Sequence, residues 1–144
     1  MSLAMTRAER ETFLAETRVA VVSIPEAGRG PLAVPVWYSY EPGGDICFVT
    51  GGESKKVRLL RVAGRLTLSV QTETAPYCYV SVEGPATIGR PDFERDVRRT
   101  ALRYLGEQMG ETYLRATASQ HENSVLITVR PRHWLSADYR KWGS

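Results

Sequence analysis

Residues 18–24 (RVAVVSI) are mostly β-branched and stop at Pro25, which predicts a strand. Residues 25–31 hold two prolines with Gly28 and Gly30 between them and read as a hairpin loop. From Leu32 to Tyr40 the chain then alternates without a break. Leu32, Val34, Val36, Tyr38 and Tyr40 share one face, while Ala33, Pro35, Trp37 and Ser39 share the other. Pro35 lacks the N–H of a central strand, so this run belongs at a sheet edge, at a bulge, or where something besides a ladder covers it. Further strands are predicted over Ile46–Thr50, Leu66–Gln71, Tyr77–Glu83 and Ser124–Leu135, with residues 136–144 left as a polar, aromatic tail.

Helical patterns interrupt this β-rich text three times. Thr6 and Glu9 have the spacing of a capping box, which predicts a short helix to about Glu16 with Phe13 and Leu14 turned inward. A second helix is expected from Ser54 to Val62, with Val57 and Leu60 on its apolar side. Residues 91–118 are charged and helix-prone, with breaks expected near Gly106 and Gly110. Successive strands lie too close in sequence for parallel crossovers. The expected architecture is α+β, mainly β: a six-stranded antiparallel barrel with flanking helices. At 144 residues it reads as one domain. Residues 1–5 read as part of an expression remnant and are set aside in this reading.

Composition narrows the function classes. A net charge of +3, with no concentrated basic stripe, points away from nucleic acid. No apolar run approaches the roughly 18 residues of a membrane span, and the apolar core of a signal peptide is missing, so a cytoplasmic protein is expected. Cys47 and Cys78 sit in strand-like runs and read as small buried hydrophobes. His121 and His133 lack metal-ligand spacing, so no metal is expected. No nucleophile elbow, Walker motif or dinucleotide fingerprint occurs.

One segment stands out, "TGGESKKVRLLR" at 50–61. It carries two of only three lysines in a chain with sixteen arginines. Gly51 and Gly52 permit close backbone approach, and Ser54 stands where a helix should begin. A helix start offers unpaired N–H groups and the positive dipole end, both of which favour an anion. Lys55 and Lys56 add compact charge that suits a phosphate. Cations in a first turn oppose the dipole, so a bound anion would offset that small cost. A solvated helix start is the alternative reading of the same residues.

The order "VPVWYSY", turn, "ICFVTGGESKKVRLLR", "RLTLSVQ" and "YCYVSVEGPATI" resembles the flavin-binding split barrels related to pyridoxamine 5'-phosphate oxidase. It is most similar to their short branch, which includes enzymes using the deazaflavin F420. The likeness spans about residues 13–86, and "WLSADYRKWG" is similar to that branch's tails. The resemblance implies a homodimer with a flavin at each subunit interface. It assigns Ser54 and Lys56 to the cofactor phosphate with Lys55 close by, and Val36, Trp37 and Thr50 to the ring system. Tyr77 and Tyr79 would come from the partner's side, with Tyr79 a candidate proton donor. Trp134 and Trp142 would close the pocket or pack at the interface.

Two departures qualify this. Leu59 stands where the family often has Asn after the helix arginine. Arg130-Pro-Arg-His133 does not match the family's substrate-gripping segment, which argues against vitamin B6 oxidation. The expected activity is hydride transfer between F420 or FMN and a small conjugated organic substrate, chemistry that belongs to the cofactor ring. Arginine-rich usage suggests a GC-rich genome. With Lys55, Arg58, Arg61, Arg140 and Lys141 as candidates for an anionic tail, it tilts the choice to F420. The alternatives are an FMN-binding relative of pyridoxamine 5'-phosphate oxidase, a non-catalytic flavin- or haem-binding barrel, and a small basic nucleic-acid binder.

Overall fold

The computed structural model describes residues 2–143. Eight strands form one curled antiparallel sheet: β1 (Ala20–Ile24), β2 (Leu32–Val36), β3 (Ser39–Tyr40), β4 (Ile46–Gly51), β5 (Arg65–Gln71), β6 (Cys78–Gly89), β7 (Ser124–Val129) and β8 (His133–Asp138). Along the sheet the order is β2-β1-β5-β6-β7-β4-β3, with β8 also on β6. Four α-helices accompany them: α1 (Arg7–Ala15), α2 (Lys55–Ala63), α3 (Arg99–Leu105) and α4 (Glu107–Ala116). A π-helical turn at Phe93–Arg98 leads into α3, and a 3-10 stretch at Ala118–Asn123 leads out of α4. Helical and extended residues are about equal in number, so the fold is evenly mixed and not mainly β.

Six expected strands become eight because two alternating runs are broken by contacts from far away. The run 32–40 splits at Trp37–Tyr38, where the Tyr38 N–H donates to the Tyr104 hydroxyl (3.1 Å) instead of to a strand. The run 124–135 ends at Val129, and β8 opens at His133 inside what had read as one strand and a tail. Between them Arg130 N–H donates to the Pro85 carbonyl (3.0 Å) and Arg132 N–H to that of Glu83 (2.9 Å). Gly84 makes this crossing possible, since a Cβ there would lie 1.7 Å from the Arg130 carbonyl oxygen. On either side of this point β6 changes neighbours. Its first half pairs with β8, its last four residues with β7, and β5 lies along its opposite edge.

β2 is an edge strand, one of the three placements Pro35 allowed, and pairs only with β1. The expected alternation holds through Tyr38 and Tyr40, both buried. The core gathers Leu14, Ile24, Ile46, Leu68, Val80 and Val129, all fully buried, with Phe13 beside them. Each such aliphatic side chain stabilises by roughly 1.5–3 kcal/mol. A buried hydrogen bond adds about 1 kcal/mol, as where the Tyr38 hydroxyl donates to the Leu14 carbonyl (2.6 Å). Hydrophobic burial therefore dominates.

Residues near the start are part of this body, against the expectation that set them aside. Met5 is buried in the core, its N–H donates to Ser136 Oγ (3.0 Å), and Asp138 N–H donates to the Leu3 carbonyl (2.7 Å). The capping box at Thr6 and Glu9 is present. Gly106 separates α3 from α4 as expected, whereas Gly110 lies inside α4. A Cβ at Gly110 would come within 2.7 Å of Leu102 Cδ2, so this glycine lets α4 press against α3. Cys47 and Cys78 are both free thiols. Among the described residues no helix is long and apolar enough to cross a membrane.

Candidate functional site

Ser54 caps α2 in extended conformation, its Oγ accepting from the Val57 N–H at 3.4 Å. That bond uses an acceptor lone pair and leaves the hydroxyl proton free to face an anion. The loop before it is drawn tight: Gly52 N–H donates to the Asn123 carbonyl (2.8 Å), and a Cβ on Gly52 would sit 2.6 Å from that oxygen. Close backbone approach is thus confirmed for Gly52, while Gly51 has open space around it. No acidic residue occupies the first turn of α2.

Lys56, the second residue of α2, lines a cleft of about 370 Å3 together with Val36, Trp37 and Thr50. Four of the residues expected to hold a ligand therefore meet, although they come from β2, the segment after it, β4 and α2. Val19, Pro35, Val49 and Tyr113 complete the walls. Among the described residues Lys56 makes no hydrogen bond or ion pair. Lys56 is the one charged residue in the walls of the cleft, and the others are apolar or aromatic apart from Thr50. Such a surface takes a planar ring joined to an anion.

Trp37 is held from behind by the helices. The Tyr104 ring of α3 stacks on it at 5.1 Å and 5°, and Tyr113 of α4 tilts against it at 5.5 Å and 53°. Such pairs add about 0.5–1.5 kcal/mol beyond the area they bury. The Tyr104 hydroxyl also donates to the Arg18 carbonyl at 2.6 Å, tying α3 to the lead-in of β1. Neither tyrosine was singled out in the sequence. The available signal was one tyrosine on either side of the Gly106 helix break.

The other expected site residues are elsewhere. Lys55 turns to the β1–β2 loop, where its Nζ lies 3.2 Å from Glu26. Tyr77 is exposed ahead of β6, and Tyr79 lies within β6 between Gln71 and Ala137; neither lines the cleft. Trp134 faces a separate groove under the Arg10 guanidinium (4.6 Å), and Trp142 is mostly exposed. Arg58 Nη1 donates to the Glu53 carbonyl at 3.4 Å, beside the start of α2. The two tail cations are committed away from α2. Arg140 forks onto buried Asp138 at 2.9 and 3.1 Å and holds that carboxyl down to about 2, and Lys141 binds Glu9 (2.8 Å) and the Ala4 carbonyl.

A smaller cavity of about 190 Å3 adjoins the cleft and shares Trp37, Val49, Thr50 and Tyr113 with it. Its far wall comes from the helical segment, including Asp96 and His121. The Arg95 fork beside Asp96 holds that carboxyl below its ordinary range despite burial. His133 stands exposed on β8. Among the described residues no group of three or more His, Cys, Asp or Glu is placed to hold a metal.

The sequence that builds these strands and helices matches a known family. A model of the family described as pyridoxamine 5'-phosphate oxidase matches residues 5–137. The chain belongs to the pyridoxamine 5'-phosphate oxidase family. Solved structures carry the same split-barrel fold. The conserved hypothetical protein Rv2991 from Mycobacterium tuberculosis superposes with a TM-score of 0.81 at 24% identity, over 99% of this chain and 91% of that one. A protein named F420 reductase gives 0.63 at 19%, over 87% and 94%. A FAD and heme binding protein from Mycobacterium smegmatis gives 0.71 at 15%, over 98% and 75%. Likeness at these identities speaks for the fold alone. Among curated proteins none matches the sequence. In this member of the pyridoxamine 5'-phosphate oxidase family Ser54, Lys55 and Lys56 open α2, and the α3–α4 pair backs Trp37.

Proposed function

We propose that the protein is an oxidoreductase that binds a flavin-type cofactor, F420 or FMN, in the cleft between β2, β4 and the start of α2. The observation that carries this reading is Lys56: a cation without a partner among the described residues, in a first turn that holds no acid of its own, opening onto apolar and aromatic walls. The residues fit the group. Ser54 Oγ–H, the first-turn N–H groups and Lys56 receive a phosphate, while Val36, Thr50 and Trp37 bound the space for a ring. When bound, such a cofactor supplies the hydride chemistry. The chain's own residues position it, exclude water from its apolar side and leave room for a small conjugated substrate.

F420 is the preferred cofactor, because α2 continues with Arg58 and Arg61 and meets no acid in its first turn, which suits an anionic tail beyond the phosphate. A neighbour of the same fold is named F420 reductase, so the fold is compatible with that choice. A haem is the poorer occupant: His133 lies outside the cleft, and the cavity beside His121 is small for a macrocycle.

The reading includes a homodimer. One row across the outer sheet face runs Pro35, Val21, Ser69, Ser81, Leu135, with Val21 44% and Leu135 63% exposed. A second copy covering that face would shield these side chains and bring its own Tyr77 and Tyr79 toward the open side of the cleft. Tyr79 is then the proton donor to test.

Titration with FMN and with F420, followed by fluorescence, tests the assignment in wild type and Lys56→Ala. One cofactor should bind tightly, with the variant weaker by about 10- to 100-fold, the worth of a charged hydrogen bond. Undiminished binding in the variant would remove the phosphate from this helix. A wild-type chain that binds neither cofactor would end the flavin reading.

A further inference from the structure

The smaller cavity has a chemistry of its own, set by His121. The Thr117 hydroxyl donates its proton to the Tyr113 carbonyl at 2.8 Å. The same oxygen lies 2.9 Å from His121 Nε2, so with its proton already used it accepts there, and the imidazole donates from Nε2. Neutral His121 is thereby fixed as the tautomer with Nδ1 unprotonated. Among the described residues Nδ1 has no partner, and the Phe93 ring, set edge-on at 5.8 Å, offers none. His121 shares the cavity wall with the polar side chains of Thr100, Gln120 and Ser124, none of which is bonded to its Nδ1.

Charge and size narrow the occupant. Asp96 is the one carboxylate in the walls, and Arg95 cancels it with bonds of 3.0 and 2.9 Å, so no net charge calls for an ion. Trp37, Val97 and Ala101 supply apolar surface. At about 190 Å3 the space exceeds a cavity of roughly 150 Å3, which is enough for a benzene-sized ring. We propose that this cavity is a ligand site in its own right, taking a neutral single-ring molecule whose hydroxyl donates to His121 Nδ1. Because Trp37, Val49, Thr50 and Tyr113 wall both spaces, its occupant lies beside whatever fills the larger cleft. Naming that occupant as the hydride partner rests on the flavin reading; its binding does not.

Phenol and anisole, which differ by the donor proton, are titrated into the full chain by calorimetry, with and without saturating FMN or F420. Nitrogen NMR of the His121 ring is followed in parallel. Phenol should shift Nδ1 and bind about three- to tenfold more tightly than anisole, the net worth of one hydrogen bond. His121→Phe should bring phenol down to the level of anisole. Ala101→Leu should weaken both while leaving cofactor affinity unchanged. Equal binding of phenol and anisole to wild type overturns the proposal, as does displacement of phenol by the cofactor, which would assign the cavity to the cofactor site. Undiminished phenol binding by His121→Phe overturns it as well, and that variant serves should Ala101→Leu fail to fold by circular dichroism. If neither cofactor binds while the phenol pattern holds, the flavin reading fails and this site stands.

Discussion

α1 and α2 are both nine residues long and both begin behind a hydroxyl cap, yet their first turns are finished differently. At α1 the Thr6 hydroxyl accepts from Glu9 N–H, the Glu9 carboxylate accepts from Thr6 N–H, and Lys141 closes the carboxylate from outside. Acid meets dipole, and the end is electrically complete. At α2 the cap is weaker, the first turn is cationic, and Lys56 looks into a cleft. A helix start that serves only the fold is closed by its own chain. On the proposed reading, the start of α2, where Lys56 has no partner among the described residues, is where the cofactor's anion binds.

The strongest way to break this contrast is to give α2 the acid that α1 has. Lys56→Glu should weaken cofactor binding by about a hundredfold or more, through loss of a charge-assisted bond and new repulsion. The same change should leave stability unaltered or raise it by about 0.3–1 kcal/mol, because the acid suits the dipole. Opposite signs in the fluorescence titration and in urea unfolding are the signature. Thr6→Ala should cost about 1 kcal/mol in urea unfolding with no effect on cofactor affinity. Ser54→Ala should cost somewhat less stability, about 0.5–1 kcal/mol given its 3.4 Å bond, yet lower affinity severalfold.

The Glu9 carboxyl is pulled down to about 2, first by the hydrogen bond from Lys141 and then by that from the Thr6 backbone. Its folded value lies below the unfolded one of about 4.3, so its contribution is present above that pH and fades as pH falls toward 2. A carboxyl-carbon NMR titration should show this, and Lys141→Ala should return Glu9 toward the ordinary range. The smallest effect is expected for Lys55→Ala, which removes a partly exposed pair with Glu26. Unfolding should change by less than about 1 kcal/mol, and cofactor affinity far less than for Lys56.

Both helix starts were legible in the sequence because a cap and its first turn are local. So were the buried faces of the strands, since alternation is a property of neighbours. Where contact partners are distant, the reading failed. The split at Trp37–Tyr38 depends on Tyr104, 66 residues on, and the break before β8 depends on the backbone of Glu83 and Pro85. Of the site, Val36, Trp37, Thr50 and Lys56 were found together, but the grip on Trp37 was not, because two tyrosines on charged helices look like solvated surface until the helices fold back. Lys141 was offered to the wrong helix for the same reason: its partner Glu9 lies 132 positions away.

The switch of partners along β6 carries a consequence for how the chain is made. β6 is complete at Gly89, but the strands that occupy its far edge, β7 and β8, are drawn from residues 124–138. Until those emerge during synthesis, twelve residues of strand keep one edge unpaired, a template for other chains. Such long loops close slowly, so the nascent barrel is most vulnerable to association after its middle is made and before its last quarter arrives. A chain halted near Gly89 should therefore aggregate where the full chain does not.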